Sequence, residues 1–386
     1  MSTERLADND VGVYLDHAAT GPIRPTVADA MASVWSEQWA NPAASHRAGR
    51  DARRTLDDAR ERIAEILAVS AADVVITSGG TEADNQAITG AVAGGGVAVC
   101  SAAEHHAVLD PVEAAGGVVV PCRGDAHIDL DALADQLERI SASGRRVAVV
   151  SAMAVNNEVG TRTDLAAVAA VVRRHAPGAW LHCDAVQAVT WCDMSEVCAI
   201  ADMVSMSAHK FGGPHSVGAL VLSGPAAPHP LLLGGGQERG RRSGTVDVAG
   251  VVGMAVALAE ASAERDEVTT RVAGLRDRML AGVKTVGGVH NTIDVSSSVP
   301  GICHVCIDGV ESEAVLFMLD AAGVAASAAS ACASGALQAS HVTAAMGVPA
   351  ERASGAVRFS FGRTTTNDDI DRAVVVVRDA VERLRR

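Results

Sequence analysis

Lysine occurs at only two positions in this 386-residue, arginine-rich chain, Lys210 and Lys284. Lys210 lies in SMSAHKFGGP, between small polar residues and a glycine pair. A lysine amine can lose its proton and attack a carbonyl carbon; an arginine guanidinium stays protonated and cannot. Three other segments carry groups of comparable promise. TSGGTEADN runs from a strand into Ser78-Gly79-Gly80-Thr81 and then a helix, where small residues let backbone N–H groups approach an anion. WLHCDAVQ sets Asp184 at the end of an apolar strand with Gln187 three residues on; a carboxylate there needs a cationic or N–H partner, or caps a helix. AASAASACASGAL, residues 325–337, presents Cys332 in a run without charge, proline or β-branched side chain. That composition suits a mobile loop bearing a nucleophilic thiolate, or a small-residue helix packed closely on a neighbour.

The surrounding pattern must hold these groups in place. RDARRTLDDARERIAEILAV puts Leu56, Ala59, Ile63 and Leu67 on one helical face. Strands are expected at 73–77, 97–101, 117–122, 146–152, 180–184, 202–206 and 217–222, separated mostly by helices, notably 129–141 and 163–176. Continuous apolar strands alternating with helices mean an α/β fold with a parallel or mostly parallel sheet covered on both faces. Ligands of such sheets bind beyond the carboxyl ends of the strands, where Asp184, Ser207, His209 and Lys210 fall. A long helix over about 246–282 then leads to strands near 302–307 and 356–361 and helices at 311–322 and 367–385, a second and smaller α/β unit.

Bulk properties restrict the function. Apolar residues make up 48%, aromatics only 2%, and mean hydropathy is +0.20, so the core is packed with Ala, Val, Leu and Ile. A net charge of −14 argues against direct nucleic-acid binding, which needs clustered cations. The polar start MSTERLADND has no apolar signal core, and the longest uncharged run is broken by prolines and glycines, so neither export nor a membrane span is expected. Eight scattered cysteines then read as cytoplasmic thiols. Cys303 and Cys306 form a CxxC, but on a strand residues i and i+3 face opposite ways, and no second pair completes a zinc site; two core cysteines are expected.

Taken together, the reactive groups suit one ligand with a phosphate, a protonatable ring nitrogen and a carbonyl. Pyridoxal 5′-phosphate (PLP) meets that description. The motifs YLDHAATGP, TSGGTEADN, AEHHAVLD, NNEVGT, HCDAVQ, SAHKFGGP, GGGQERGRRSGT, SACASG and VRFSFGR occur in an order that resembles cysteine desulfurases of the NifS/IscS type, a branch of the class V aminotransferases. The resemblance implies the PLP-dependent transferase fold type I. A large domain over 15–255 would hold a mostly parallel seven-stranded sheet, and a small domain of 1–14 and 256–386 would carry the cysteine loop.

It further implies Lys210 as the lysine that binds the cofactor covalently, Asp184 as partner of its ring nitrogen and Gln187 as partner of its ring oxygen. His105 would stack on the ring and assist proton transfer. Gly80, Thr81, Ser207 and His209 would hold the phosphate, and Thr245 would reach the cofactor of a second subunit in a homodimer. Asn157 and Arg358 would position L-cysteine. Cys332 would accept its sulfur as a persulfide, with L-alanine released, for passage to an acceptor protein. Iron–sulfur cluster assembly, tRNA thiolation and DNA phosphorothioation all suit such a site; no metal is resident, though Cys332 could meet an iron–sulfur cluster on transfer.

Plainer readings stand beside these: a surface pair for His105 and His106, an ordinary strand arginine for Arg358. A selenocysteine lyase or another class V aminotransferase shares most of the motifs, and a docking scaffold without catalysis would share the fold. The chain also departs from the resembling pattern. Gly21 stands where a threonine is usual, GPHSVG replaces GPKG, and QAS replaces Glu-Pro-Ser after the cysteine loop. A C-terminal extension used by some relatives for scaffold partners is expected to be missing.

Overall fold

The computed structural model describes residues 12–328 and 340–386 of the chain. Cys332 and most of the expected cysteine loop, together with residues 1–11, lie outside the described residues.

The strands are β1 (Val13–Tyr14), β2 (Val74–Thr77), β3 (Val97–Ser101), β4 (Val118–Val120), β5 (Val147–Ser151), β6 (Trp180–Asp184), β7 (Met203–Ser207), β8 (Gly218–Leu222), β9 (Val289–Asn291), β10 (Ile302–Ile307), β11 (Val324–Ala325) and β12 (Ala356–Ser360). Seven of them form one sheet in the order β2-β8-β7-β6-β5-β3-β4. Only β8 runs against its neighbours. Its direction follows from chain length: residues 208–217 are all that join β7 to β8, too few for the crossover of a dozen or more residues that a parallel partner needs. The remaining strands therefore share one carboxyl edge.

Period-two alternation sorts each strand's side chains between two apolar layers. Val74, Ile76, Val204 and Met206 join a core that includes Leu56, Ile63 and Leu67 of the helix Arg47–Leu67. Val75, Ala98, Cys100 and Leu220 join another with Ala83, Ala87 and Ile88 of the helix Gly80–Val92. With both faces covered, the strands are apolar on both sides, which is why they read as continuous runs.

A three-stranded antiparallel sheet, β12-β10-β9, and the two-stranded pair β1-β11 lie over a third core. Val13, Leu15, Val305, Phe359 and Val377 pack there, so residues 13–15 share a core with the last helix. Cys303 and Cys306 are both buried on β10, and no disulfide forms among the seven described cysteines. The helix Val248–Lys284 has 37 residues. Its first half, through Ala261, packs in the large-sheet core; Val268 to Val283 pack in the small one. The boundary expected at 255/256 falls within this helix.

Candidate active site

The carboxyl ends of β2, β3, β5, β6 and β7 converge on a cavity of about 400 Å³, within the ~300–1,000 Å³ of ordinary small-molecule sites. Its walls include Gly80, Thr81, His105, Asn157, Asp184, Gln187, Ser207, His209, Lys210 and Arg358. Ten of the residues singled out in the sequence thus meet in one place. Thr245 does not line it; this residue is exposed on the segment before Val248. Cys332 lies outside the described residues.

Each group is fixed by local structure. Lys210 follows β7 in the short 3-10 turn Ala208–Phe211, and its Nζ donates to the carbonyls of Ala18 at 2.6 Å and Ala19 at 2.9 Å. Gln187 Nε2 donates to the same Ala18 oxygen at 2.6 Å. Asp184 closes β6, is 4% exposed, and accepts the Val186 N–H at 2.9 Å. Burial pushes its carboxyl above the ordinary range, while His105, the Val186 N–H and Lys210 pull the other way. Such a carboxylate needs a positive partner in the cavity.

The Gly79-Gly80 turn shows why glycine stands there. Gly79 has φ of 145°, and a Cβ on Gly80 would come 2.5 Å from Val186 Cγ2. Behind the turn, a Cβ on Gly218 of β8 would come 2.7 Å from Gly79 Cα. The backbone is bare, and the helix Gly80–Val92 starts at the cavity wall, a ready anion cradle.

His105 caps the helix His106–Ala114, with Nδ1 accepting the Ala107 N–H at 3.0 Å. Its neutral tautomer therefore carries hydrogen on Nε2. Desolvation, against the pull of Asp184, lowers its pKa below the ordinary histidine value. The surface-pair reading holds only for His106, whose Nδ1 meets Asp110 Oδ1 at 2.9 Å on the outside.

Arg358 stands mid-strand on β12, 4% exposed. One terminal nitrogen donates to Asn157 O at 2.8 Å and the other to Asp16 Oδ1 at 2.7 Å, and Nε has no partner among the described residues. A guanidinium so held has N–H groups left for a carboxylate. Asn157 thus acts through its backbone oxygen, a contact that its side-chain type does not signal.

Sequence reasoning missed several groups. Asp16 lies within YLDHAATGP, where its residue type signals no role. Asp84 and Glu104 are fully buried carboxyls near Asp184. Asp84 lines the cavity, and its Oδ1, 3.5 Å from His182 Nε2, makes no hydrogen bond among the described residues. Glu104 accepts the Met153 N–H at 2.6 Å, and its other oxygen has no described partner. Burial, then the charge of Asp184, raises Glu104's pKa to about 8. The available signal was, for Glu104, an acid directly before His105 in AAEHH and, for Asp84, an acid one helical turn after Gly80 in GTEAD. His341 Nε2 lies 2.8 Å from Glu104 O, which ties the segment after the undescribed residues to the cavity wall.

Residues 13–373 match the family model described as Aminotransferase class-V. An IscS-like cysteine desulfurase of Mycobacterium tuberculosis is 40% identical over 388 residues, covering 97% of each chain. A solved NifS-like protein superposes with a TM-score of 0.87 at 29% identity over 96% of this chain and 99% of that one. DndA from Streptomyces lividans superposes at 0.74 and 31% identity, over 90% and 99%. The chain belongs to the class-V aminotransferase family, on its cysteine desulfurase branch. Enzymes of that branch depend on PLP. No helix among the described residues is long and apolar enough to cross a membrane.

Proposed function

We propose that this cavity binds PLP and L-cysteine, and that the protein removes the sulfur of L-cysteine, leaving L-alanine and a persulfide on Cys332. The carrying observation is the convergence of Lys210, Asp184, His105 and the bare Gly79-Gly80 turn on one cavity. The residues fit the cofactor. The bare backbone at Gly80 suits a phosphate, with Thr81, Ser207 and His209 lining the same cavity. Asp184 is a desolvated carboxyl whose charged form a protonated ring nitrogen would stabilise. When bound, the cofactor supplies the electron sink that lets an amino acid lose its α-proton.

The chain's own residues do the rest. Lys210 offers the amine that holds the cofactor covalently, and the Ala18 and Ala19 carbonyls keep that amine in place. Gln187 would hold the ring oxygen, and His105 would stack on the ring and pass protons, its lowered pKa favouring the neutral imidazole. Arg358 grips the substrate carboxylate, oriented by Asp16 and Asn157.

No described cysteine lines the cavity. The seven described cysteines are buried or half-buried, and burial pushes the thiols of Cys198 and Cys303 up to about 12. Ser327 lines the cavity and lies five residues before Cys332, a separation spanned by roughly 18 Å of chain at most. These facts favour Cys332 as the acceptor. Balance requires only sulfur transfer: the C–S bond of the substrate breaks, an S–S bond forms at Cys332, and the proton of the thiol ends on alanine.

A homodimer with Thr245 reaching the second subunit's cofactor is the reading we favour for that exposed residue. Its segment is docked by Glu238 and Arg242, which pair with Arg60 at 2.6 Å and Glu82 at 2.8 Å. The apolar layers on the two faces of the large sheet and the third core beneath the small sheets support the proposed large and small domains. Free cysteines support a cytoplasmic location, where an acceptor protein passes the sulfur to clusters, tRNA or DNA. The test is alanine and persulfide formation by the full chain from L-cysteine, with L-selenocysteine in parallel. Cys332→Ser should abolish the persulfide; a variant that transfers sulfur as well as the parent overturns the assignment.

A further inference from the structure

Three side chains beside the cavity form a chain that the proposed chemistry leaves unexplained. Thr20 Oγ1 lies 3.1 Å from His215 Nε2 and 3.2 Å from His209 Nδ1. The two imidazoles stack, with centroids 5.2 Å apart and planes 25° from parallel. The surrounding backbone fixes the group: Tyr14 Oη donates to Thr20 O at 2.9 Å, and the Gly21 N–H donates to His209 O at 2.9 Å.

Hydrogen counting decides what this arrangement can do. A hydroxyl has one hydrogen, so Thr20 donates to only one of the two rings. Burial, then the charge of Lys210 and His215, lowers the His209 pKa to about 4, so its ring is neutral near pH 7. A neutral imidazole has one N–H and one bare nitrogen, and the hydrogen bond made by one nitrogen sets the state of the other. With hydrogen on Nδ1, His209 would turn a lone pair toward any anion in the cavity. With hydrogen on Nε2, it would offer a donor.

We propose that Thr20 and His215 are positioning residues that set the proton on His209. His215 Nε2–H donates to Thr20 Oγ1, the Thr20 hydroxyl donates to His209 Nδ1, and His209 keeps its hydrogen on Nε2 for the cofactor's phosphate. This inference rests on the reading of His209 as a phosphate ligand. It also gives a role to the GPHSVG departure. A lysine at position 215 could only donate, and His215 in the tautomer described does the same, so Thr20 is directed toward His209 in both cases.

The test titrates full-length apo-protein with PLP and, separately, with pyridoxal, which lacks the phosphate. Thr20→Val should weaken PLP binding about tenfold, the equivalent of one hydrogen bond to a charged group, and leave pyridoxal binding unchanged. Thr20→Ser should restore it. His215→Phe keeps the stacking but loses the donor, and should repeat the loss without touching Thr20. Nitrogen NMR of His209 should show hydrogen on Nε2 in the parent. Parent-like PLP affinity in Thr20→Val, equal losses for PLP and pyridoxal, or hydrogen on Nδ1 overturns the relay. His209→Ala separates the two layers: unchanged PLP affinity there overturns the phosphate role and the relay with it, whereas a loss there and none in Thr20→Val overturns the relay alone.

Discussion

Arg358 and Asp16 stand 342 residues apart in the chain and meet at 2.7 Å, Nη2 to Oδ1, on the wall of the cavity. The arginine side chain is 5% exposed and the aspartate 22%, so the contact is only partly screened and fixes the guanidinium plane. The pair orients; it does not neutralise a substrate. Asp16→Asn keeps the shape and an acceptor oxygen but loses the charge. KM for L-cysteine should rise about tenfold with kcat within about twofold, as expected when ground-state and transition-state binding fall equally. Steady-state alanine formation checks this, and an equal drop in kcat would refute it.

Lys210 and Lys284 give an internal control. Lys284 is exposed at the end of the long helix, far in sequence from any cavity residue. Lys210→Ala should leave no cofactor fixed to the chain after borohydride reduction, whereas Lys284→Ala should match the parent. Mass spectrometry of the reduced proteins distinguishes them.

Gly80 should tolerate alanine only with help. The added Cβ would stand 2.5 Å from Val186 Cγ2, closer than carbon atoms pack, and overpacking of this kind costs about 1–3 kcal/mol. Gly80→Ala should lower both thermal stability and PLP affinity. Val186→Ala in the same chain should recover most of the stability. A double variant no better than the single would show that the turn needs glycine for another reason.

Glu104 predicts a pH dependence of stability. Its carboxyl has a folded pKa of about 8 against an ordinary 4.5. Between those values the folded state binds the proton and the unfolded state does not, so this group's contribution falls as pH rises. The loss begins near pH 4.5 and is complete above about pH 8. Glu104→Gln, neutral throughout, should flatten that part of the Tm-versus-pH curve and melt higher than the parent at the alkaline end. Parallel curves for the two proteins would sink the assignment.

All seven strands of the large sheet were legible because burial on both faces makes them continuous apolar runs, and their ends fell within two residues of expectation. The reversed β8 was not, since its direction depends on a loop too short to cross over. Lys210 and Asp184 were legible as chemistry-bearing residues at strand ends, and His105 only through the resemblance that AEHHAVLD carries. Asp16, Asn157's carbonyl and Thr20 were not, because each acts through a contact between distant parts of the chain. Strands of two residues, such as β1 and β11, carry no period to detect. Nothing in the structure explains the departure at Gly21, and that at Ser216 carries a backbone cost. A Cβ on Gly21 would lie 3.5 Å from His209 O, an ordinary contact, so nothing here demands glycine. Ser216 adopts φ of 60° where GPKG would have a glycine, a conformation that L-residues take at a cost.

The helix Val248–Lys284 has a consequence for how the molecule comes apart. At ~1.5 Å per residue it is a rod of roughly 55 Å, and its two halves are walls of different cores. Melting either core strips packing from a helix that the other also needs, and a bare half-helix has little stability of its own. The two sheets are thereby bound to one thermodynamic fate. Heat should take the chain apart in a single calorimetric transition, with the lysine-bearing and arginine-bearing sides of the cavity lost at the same temperature.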